Sequence, residues 1–304
     1  MDLKSKENQI AIETATTGIE YTKWTDIKML IKVRLTILVV VSALLAYMIA
    51  AQSAFSILEF LILGLGGFSI TAAANALNQA LEKDFDRLMT RTENRPVATG
   101  RMSMGEAVLF GGLFFVLGTI LLAYFNPLAA VLGACAVVSY SFLYTPLKRW
   151  TTFSVFVGAI PGALPTMIAV VAHEGRVTPM AIILFGIQFF WQFAHFWSIG
   201  FLGFEDYKRA GFRLVPELDG RAHPNLGLQS MIFSLLLLPI CLAPYFMGLL
   251  GLWPCVLAAT LALVYAYYGW NLQQEKSTGA ARKLMFFSFL YLPVVLIIYY
   301  IGSL

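Results

Sequence analysis

Asn78-Gln-Ala-Leu-Glu82-Lys-Asp84-Phe-Asp86-Arg87 follows directly on a long apolar run that ends Phe68-Ser-Ile-Thr-Ala-Ala-Ala-Asn75. Asn78, Glu82 and Asp86 are spaced i, i+4, i+8. At about 100° per residue, successive members drift by only about 40°, so a helix carries all three on one face. Two carboxylates and an amide at the mouth of an apolar helix repel one another and are costly to desolvate unpaired. A hard divalent cation resolves both problems, because Mg²⁺ takes one or two carboxylates and completes its shell with phosphate oxygens and water. The same stretch also reads as a plain helix end, its acids solvated or paired with Lys83 and Arg87.

The rest of the chain says what kind of helix this is. Of 304 residues, 59% are hydrophobic and 12% charged, with a mean hydropathy of +0.75. Soluble domains carry about 25% charged residues. Apolar runs long enough to cross hydrocarbon recur at roughly 28–50, 54–81, 105–124, 127–145, 152–172, 178–203, 228–249, 253–272 and 283–302. This predicts an all-α integral membrane protein with nine transmembrane helices and the lipid bilayer as its surroundings. No nucleic-acid partner is expected. A polar tail, residues 1–24, precedes a single membrane domain, residues 25–304. The tail lacks a short apolar segment with a small-residue cleavage site, so it does not read as a removable signal. Cys135, Cys241 and Cys255 fall in apolar runs without metal-site spacing and read as small core residues.

Charge placement orients these spans. All but one of the 21 Lys and Arg residues, Arg176 being the exception, fall in the N-terminal tail, at the start of the first span or in every second link. The positive-inside rule puts the N-terminus and those links in the cytoplasm and the C-terminus outside the plasma or inner membrane. Two basic-side links, from about Glu82 to Met104 and from about Phe204 to Leu226, are far longer than a turn requires. Long loops on one face of a rigid scaffold are where function concentrates.

Both links carry acids followed by bases. After Asp86 come Arg87, Arg91 and Arg95, again four residues apart, until Pro96 forces Arg95 into an extended conformation. Guanidinium forks match phosphate oxygens, so acids for a metal followed by arginines for phosphate suit a diphosphate ligand. The second link opens with Glu205-Asp206-Tyr207-Lys208-Arg209. Adjacent acids diverge, and Asp206 is the one expected to face the first cluster, where a second metal or the far side of the same diphosphate would sit. Tyr144-Thr-Pro-Leu-Lys148-Arg149 ends a span in two cations, which either cap a phosphate pocket or anchor the helix at the interface. His195, in Trp191-Gln-Phe-Ala-His195-Phe-Trp197, lies inside a span, where histidine has a polar task. Haem-iron ligand, proton relay and interhelical hydrogen bond are the candidates. Asn75, a turn above Asn78, would extend the polar face inward.

Asn78-xxx-Glu82-xxx-Asp86 with Met89-Thr-Arg91-Thr-Glu-Asn94-Arg95-Pro96 resembles the first motif of the UbiA-type intramembrane prenyltransferases, in the form carried by the branch that farnesylates haem. Tyr144-Thr-Pro-Leu-Lys148-Arg149 with Gly158-Ala-Ile-Pro161-Gly162-Ala-Leu-Pro165 resembles the family's central segment, and Trp191 to His195 with Glu205-Asp206-Tyr207 its second motif. The resemblance runs from about residue 29 to 225. It implies nine helices around a central cavity open to the lipid, with Mg²⁺ as cofactor. Farnesyl diphosphate would be the donor and haem b the acceptor, giving haem O for terminal oxidases. A downstream haem-modifying enzyme or oxidase assembly factor would take the product. Asn78, Glu82, Asp86 and Asp206 carry over as catalytic metal ligands. Arg87, Arg91, Arg95, Lys148, Arg149, Lys208 and Arg209 carry over as diphosphate contacts, and His195 as the haem-side residue. Phe204 departs from the pattern, standing where a basic residue is expected. A sister enzyme acting on a quinone precursor shares every metal feature, and a transporter shares the architecture. The clustering of charge at one face, rather than along a path across the bilayer, speaks against transport.

Overall fold

A computed structural model describes residues 21–304. Residues 1–20 of the expected tail, with Lys4 and Lys6, lie outside the described residues. Among the described residues, nine helices are long and apolar enough to cross a membrane: Val33–Ala54, Ile57–Leu81, Met104–Ala123, Pro127–Leu147, Ser154–Glu174, Pro179–Leu202, Leu226–Phe246, Leu252–Glu275 and Thr278–Ser303. These are the nine expected spans, numbered one to nine below, with ends shifted by a few residues.

Span one begins later than the hydropathy suggested. Lys23–Leu30 is a separate short helix, N-capped by Thr22, and the chain breaks at Ile31 and Lys32 before the span starts. Lys32 is left-handed, with φ 49° and ψ 56°. That conformation costs a non-glycine residue about 1–2 kcal/mol. Neighbours meet the carbonyls the break exposes. Gln79 Nε2 donates to Met29 O at 2.8 Å and Leu30 O at 2.9 Å, Thr36 Oγ1 donates to Ile31 O at 2.7 Å, and Asn75 Nδ2 donates to Ile31 O and to Thr36 Oγ1. Asn75 therefore ties span two to the start of span one and does not extend a polar face inward.

The ring of helices closes on itself. Each span packs against the next, and span nine returns to span one. Span five also packs on spans one and four and is the most buried of the nine. Its Gly158, Ala159, Gly162 and Ala163 permit that close approach, as small residues do between membrane helices. Pro161 and Pro165 remove two helix donors from span five. Beside these positions Gln188 and Gln192 of span six donate to Gly162 O at 2.9 Å and Ala159 O at 2.7 Å. The two glutamines thus lock span six to span five through one face, which leaves Trp191 and His195 for span nine.

The glycine at 158 is required sterically. A Cβ there would come within 2.6 Å of the Tyr144 ring on span four. Gly158→Ala is expected to lower stability by about 1–3 kcal/mol, the usual penalty of overpacking. Thermal unfolding of the detergent-solubilised protein would show it, and an unchanged midpoint would mean that Tyr144 can move aside.

Lipid-facing surfaces are apolar at helical spacing, as at Leu109, Leu113, Val116 and Ile120 of span three. Cys135 belongs to such a face with Val131 and Val138 and is exposed, contrary to its expected place in the core. Cys241 and Cys255 are buried as expected. Among the described residues the all-helical expectation has one small exception. In the second link Glu217–Leu218 pairs antiparallel with Arg221–Ala222, around Asp219 and Gly220, both at positive φ, the requirement of a tight type I′ hairpin.

Candidate functional site

The helical hydrogen bonding of span two passes its end almost unbroken. Glu82 N–H donates to Asn78 O at 2.9 Å, and Asp86 N–H donates to Glu82 O at 2.8 Å. The short helix Lys83–Asp86 continues the turn after Leu81, with Glu82 between them. Asn78, Glu82 and Asp86 consequently stay on one side, and they are 1%, 3% and 0% exposed. Burial this deep rules out a solvated helix end.

The cations that meet these acids come from elsewhere in the chain. Lys148 Nζ is in direct ion-pair contact with Glu82 Oε1, both side chains being buried. Arg95 Nη1 lies 2.7 Å from each oxygen of Asp86. Lys32 Nζ donates to Asn78 Oδ1 at 3.3 Å. Asn78 Nδ2 in turn donates to Glu82 Oε2 at 2.8 Å and to Thr145 Oγ1 at 3.1 Å. Burial pushes the Glu82 carboxyl up, but Lys148, joined by Lys32 and Arg95, outweighs it and holds the carboxyl below its usual range. Burial pushes Asp86 up against the pull of Arg95. Burial, with Arg95 nearby, pulls the Lys32 ammonium well below its usual range.

A π-helical stretch, Ser139–Tyr144, delivers the span-four residues. Such bulges re-aim side chains and recur at functional sites. Here Thr145 Oγ1 donates back to Tyr140 O at 2.9 Å, and Lys148 Nζ lies 4.8 Å from the Tyr144 ring centroid. Arg149 stacks its guanidinium 3.7 Å from the Phe85 ring centroid and donates to Leu81 O. Lys148 and Arg149 therefore turn in toward the first motif and are not interfacial anchors.

Arg87, Arg91 and Arg95 do not share a face. Turns replace the helix after Asp86, and only Arg95 folds back onto the acids. It is extended at φ −63°, ψ 144°, as its place before Pro96 demands. Arg87 turns away to Asp84 and to Ala98 O. Arg91 reaches Tyr207 of the second link at 3.4 Å. Asp206 meets the first link, accepting from Thr90 Oγ1 at 3.3 Å, and pairs with Arg209 at 3.3 Å. Lys208 is drawn off to the hairpin, pairing with Glu217 and Gly220 O. Phe204, the unexpected residue of this motif, packs its ring in a core cluster with Trp197 and Val215. A cavity of about 310 Å³ opens between the links, walled by Arg91, Asp206 and Tyr207 and, from the membrane side, by Ile199 of span six and Met285 of span nine. Asp206 does not join Asn78, Glu82 and Asp86. Among the described residues no three acidic, histidine or cysteine side chains converge as a metal cluster.

His195 faces span nine. Its Nδ1 lies 2.7 Å from Ser288 Oγ, and its ring stacks on Trp191 with centroids 5.0 Å apart at 15°. Sequence reasoning did not single out Lys32, Thr145 or Ser288. A lysine abutting an apolar run was a visible signal for the first. A lone serine in a span gave none for the last.

Among the described residues, a ring of nine membrane helices with acids and phosphate-matching cations gathered at one end defines an intramembrane prenyltransferase. The chain belongs to the UbiA prenyltransferase family, whose model matches residues 39–290. It is 40% identical to the protohaem IX farnesyltransferase of Cytophaga hutchinsonii over 88% of this chain and 93% of that one. It is likewise 40% identical to that of Christiangramia forsetii, over 90% and 92%. Among solved structures it is similar to a digeranylgeranylglyceryl phosphate synthase, with TM-score 0.76, 20% identity, and coverage of 92% of this chain and 98% of that one. It is also similar to a UbiA homologue from Archaeoglobus fulgidus bound to DMAPP and Mg²⁺, with TM-score 0.70, 16% identity, and coverage of 91% and 98%.

Proposed function

We propose that this chain transfers the farnesyl group of farnesyl diphosphate to a vinyl group of haem b. The terminal vinyl carbon takes the farnesyl cation, water adds at the inner carbon, and diphosphate and a proton leave, giving haem O. What carries the reading is the buried set Asn78, Glu82 and Asp86, held by Lys148 and Arg95, in a chain 40% identical to proteins named for this reaction. Residues 25–304 form the single catalytic unit. The acids and long links face the cytoplasm, the C-terminus faces outward, and the membrane is the plasma or inner membrane.

The donor set fits Mg²⁺. An amide oxygen and two carboxylates are hard ligands, and one or two carboxylates with phosphate oxygens are the usual shell of this ion. Asn78, Glu82 and Asp86 would hold it, and Asp206, on the wall of the cavity between the links, would hold the diphosphate's far side or a second ion. Bound there, Mg²⁺ supplies charge to the departing diphosphate. Lys148 and Arg95 are the cations closest to the acids, and they would be free to hold phosphate if those acids held the metal. Arg91, Arg149 and Arg209 ring the approach, and their fixed positive charge stabilises the leaving group. Arg87 and Lys208, tied to Ala98 and Glu217, stand outside this set. The apolar helices keep water from the allylic cation until the acceptor has reacted. His195 serves the haem side, and a downstream haem-modifying enzyme or oxidase assembly factor receives the product.

Purified protein given farnesyl diphosphate, Mg²⁺ and haem b is expected to form haem O, detected by mass. Farnesylation of a quinone precursor, with no haem O formed by the same folded preparation, would overturn the reading.

A further inference from the structure

The surroundings of Ser288, the Met285 carbonyl and the Tyr265 hydroxyl, which itself donates to Trp191 O, favour one arrangement of protons in its contact with His195. Ser288 has one hydroxyl proton. Its Oγ is hydrogen-bonded to the Met285 carbonyl, which can only accept. That proton is therefore committed, and the 2.7 Å contact to His195 Nδ1 needs a proton from the ring. We propose that Ser288 is a positioning residue that holds His195 as its Nδ1–H tautomer and so presents the Nε2 lone pair as an axial ligand to the iron of the porphyrin acceptor. The proposal rests on the haem reading above.

The surroundings serve that purpose. Nε2 meets no hydrogen-bond partner among the described residues, although an imidazole within a membrane span would ordinarily satisfy both nitrogens. The ring cannot turn freely. Trp191 stacks on one side, and Phe289 meets it edge-on with centroids 5.1 Å apart. Trp191 is itself fixed, its Nε1 donating to Ser288 O at 2.8 Å and its carbonyl accepting from Tyr265 OH at 3.1 Å. Ser288 thus holds the histidine with its hydroxyl and the stacking indole with its carbonyl. The pair stands one helical turn deeper than Ile199 and Met285, which wall the cavity between the links, and a planar acceptor entering past them would come to Nε2. A partner on the far nitrogen is what orients ligating histidines generally and raises their basicity.

The test uses the full-length protein in lipid nanodiscs, titrated with haem b in the absence of farnesyl diphosphate and read by Soret and visible absorption. The wild type is expected to give a histidine-ligated spectrum. His195→Ala loses it, and added imidazole restores it. Ser288→Val weakens haem binding about 10-fold or more, the usual effect of losing such a partner, whereas Ser288→Thr, which keeps the hydroxyl, binds like the wild type. Haem O formation by the wild type is measured in parallel. No haem O would overturn the acceptor reading itself. Haem O formation with an unchanged spectrum in His195→Ala overturns the ligand inference. Equal binding by Ser288→Val and Ser288→Thr overturns the role of Ser288 and leaves the pair as an interhelical tie.

Discussion

Glu82→Ala is expected to lower prenyl transfer by about 10²–10³-fold in kcat and to destabilise the protein by about 3–5 kcal/mol. The two effects have different origins. The catalytic loss follows from removing a proposed metal ligand whose charge acts on the departing diphosphate, and a single lost electrostatic contact of this kind costs about 10²–10³-fold in other enzymes. The loss of stability follows from Lys148, which is 7% exposed and would be left without its partner. Breaking a buried pair from one side is far more damaging than replacing both members. Glu82→Gln combined with Lys148→Met should therefore return stability to within about 1 kcal/mol of wild type while activity stays lost. Thermal unfolding and product mass measured on the same preparations separate the two. If Glu82→Ala keeps its activity, the proposed metal site is wrong.

Arg95→Ala has the second-largest expected effect. Asp86 is fully buried, and Arg95 closes it with contacts of 2.7 Å to both oxygens. Without the guanidinium the carboxylate has no cation in contact, for a loss of about 3–5 kcal/mol. In Glu82→Ala the ligand to the metal goes. In Arg95→Ala the cation that should pass to phosphate goes, so KM for farnesyl diphosphate rises by about 10- to 100-fold, the worth of one or two charged hydrogen bonds. Steady-state kinetics distinguishes the patterns. Unchanged kcat and KM in the protein that remains folded, with stability alone reduced, would place Arg95 in a purely structural role.

Much of this was legible in the residue order, for physical reasons. Hydropathy and loop charge are local quantities, so nine spans and two long basic links could be read from windows of the chain. The side shared by Asn78, Glu82 and Asp86 follows from helix geometry and survives at the end of span two. What was not legible depends on contacts distant in the chain. Lys148 could be seen as a cation after a proline but not as the partner of Glu82, because the π-helical turn that aims it is set by packing against span five. Arg95 was placed on a line with Arg87 and Arg91. The turns after Asp86 end that line and return Arg95 to Asp86, sending the other two elsewhere. Asn75 read as part of an inward polar face, yet the break at Lys32 opened carbonyls that claimed it. The preference for Asp206 over Glu205 agrees with its contact to Thr90, while its separation from the first three ligands is a matter of tertiary distance.

The self-pairing of the acids has a consequence for ligand order. In the folded protein Glu82 and Asp86 already hold Lys148 and Arg95, so each half of a magnesium diphosphate arriving alone must compete with an internal counterion of the same sign. A bare metal ion must displace the lysine and the arginine, which then have no anion to receive them. A bare diphosphate must draw those cations off acids that are left exposed to each other. The two arriving together would let the acids and the cations exchange partners, so that neither pair is left without a counter-charge. The proposed site would then act as an AND gate, favouring the metal–diphosphate complex over either component alone.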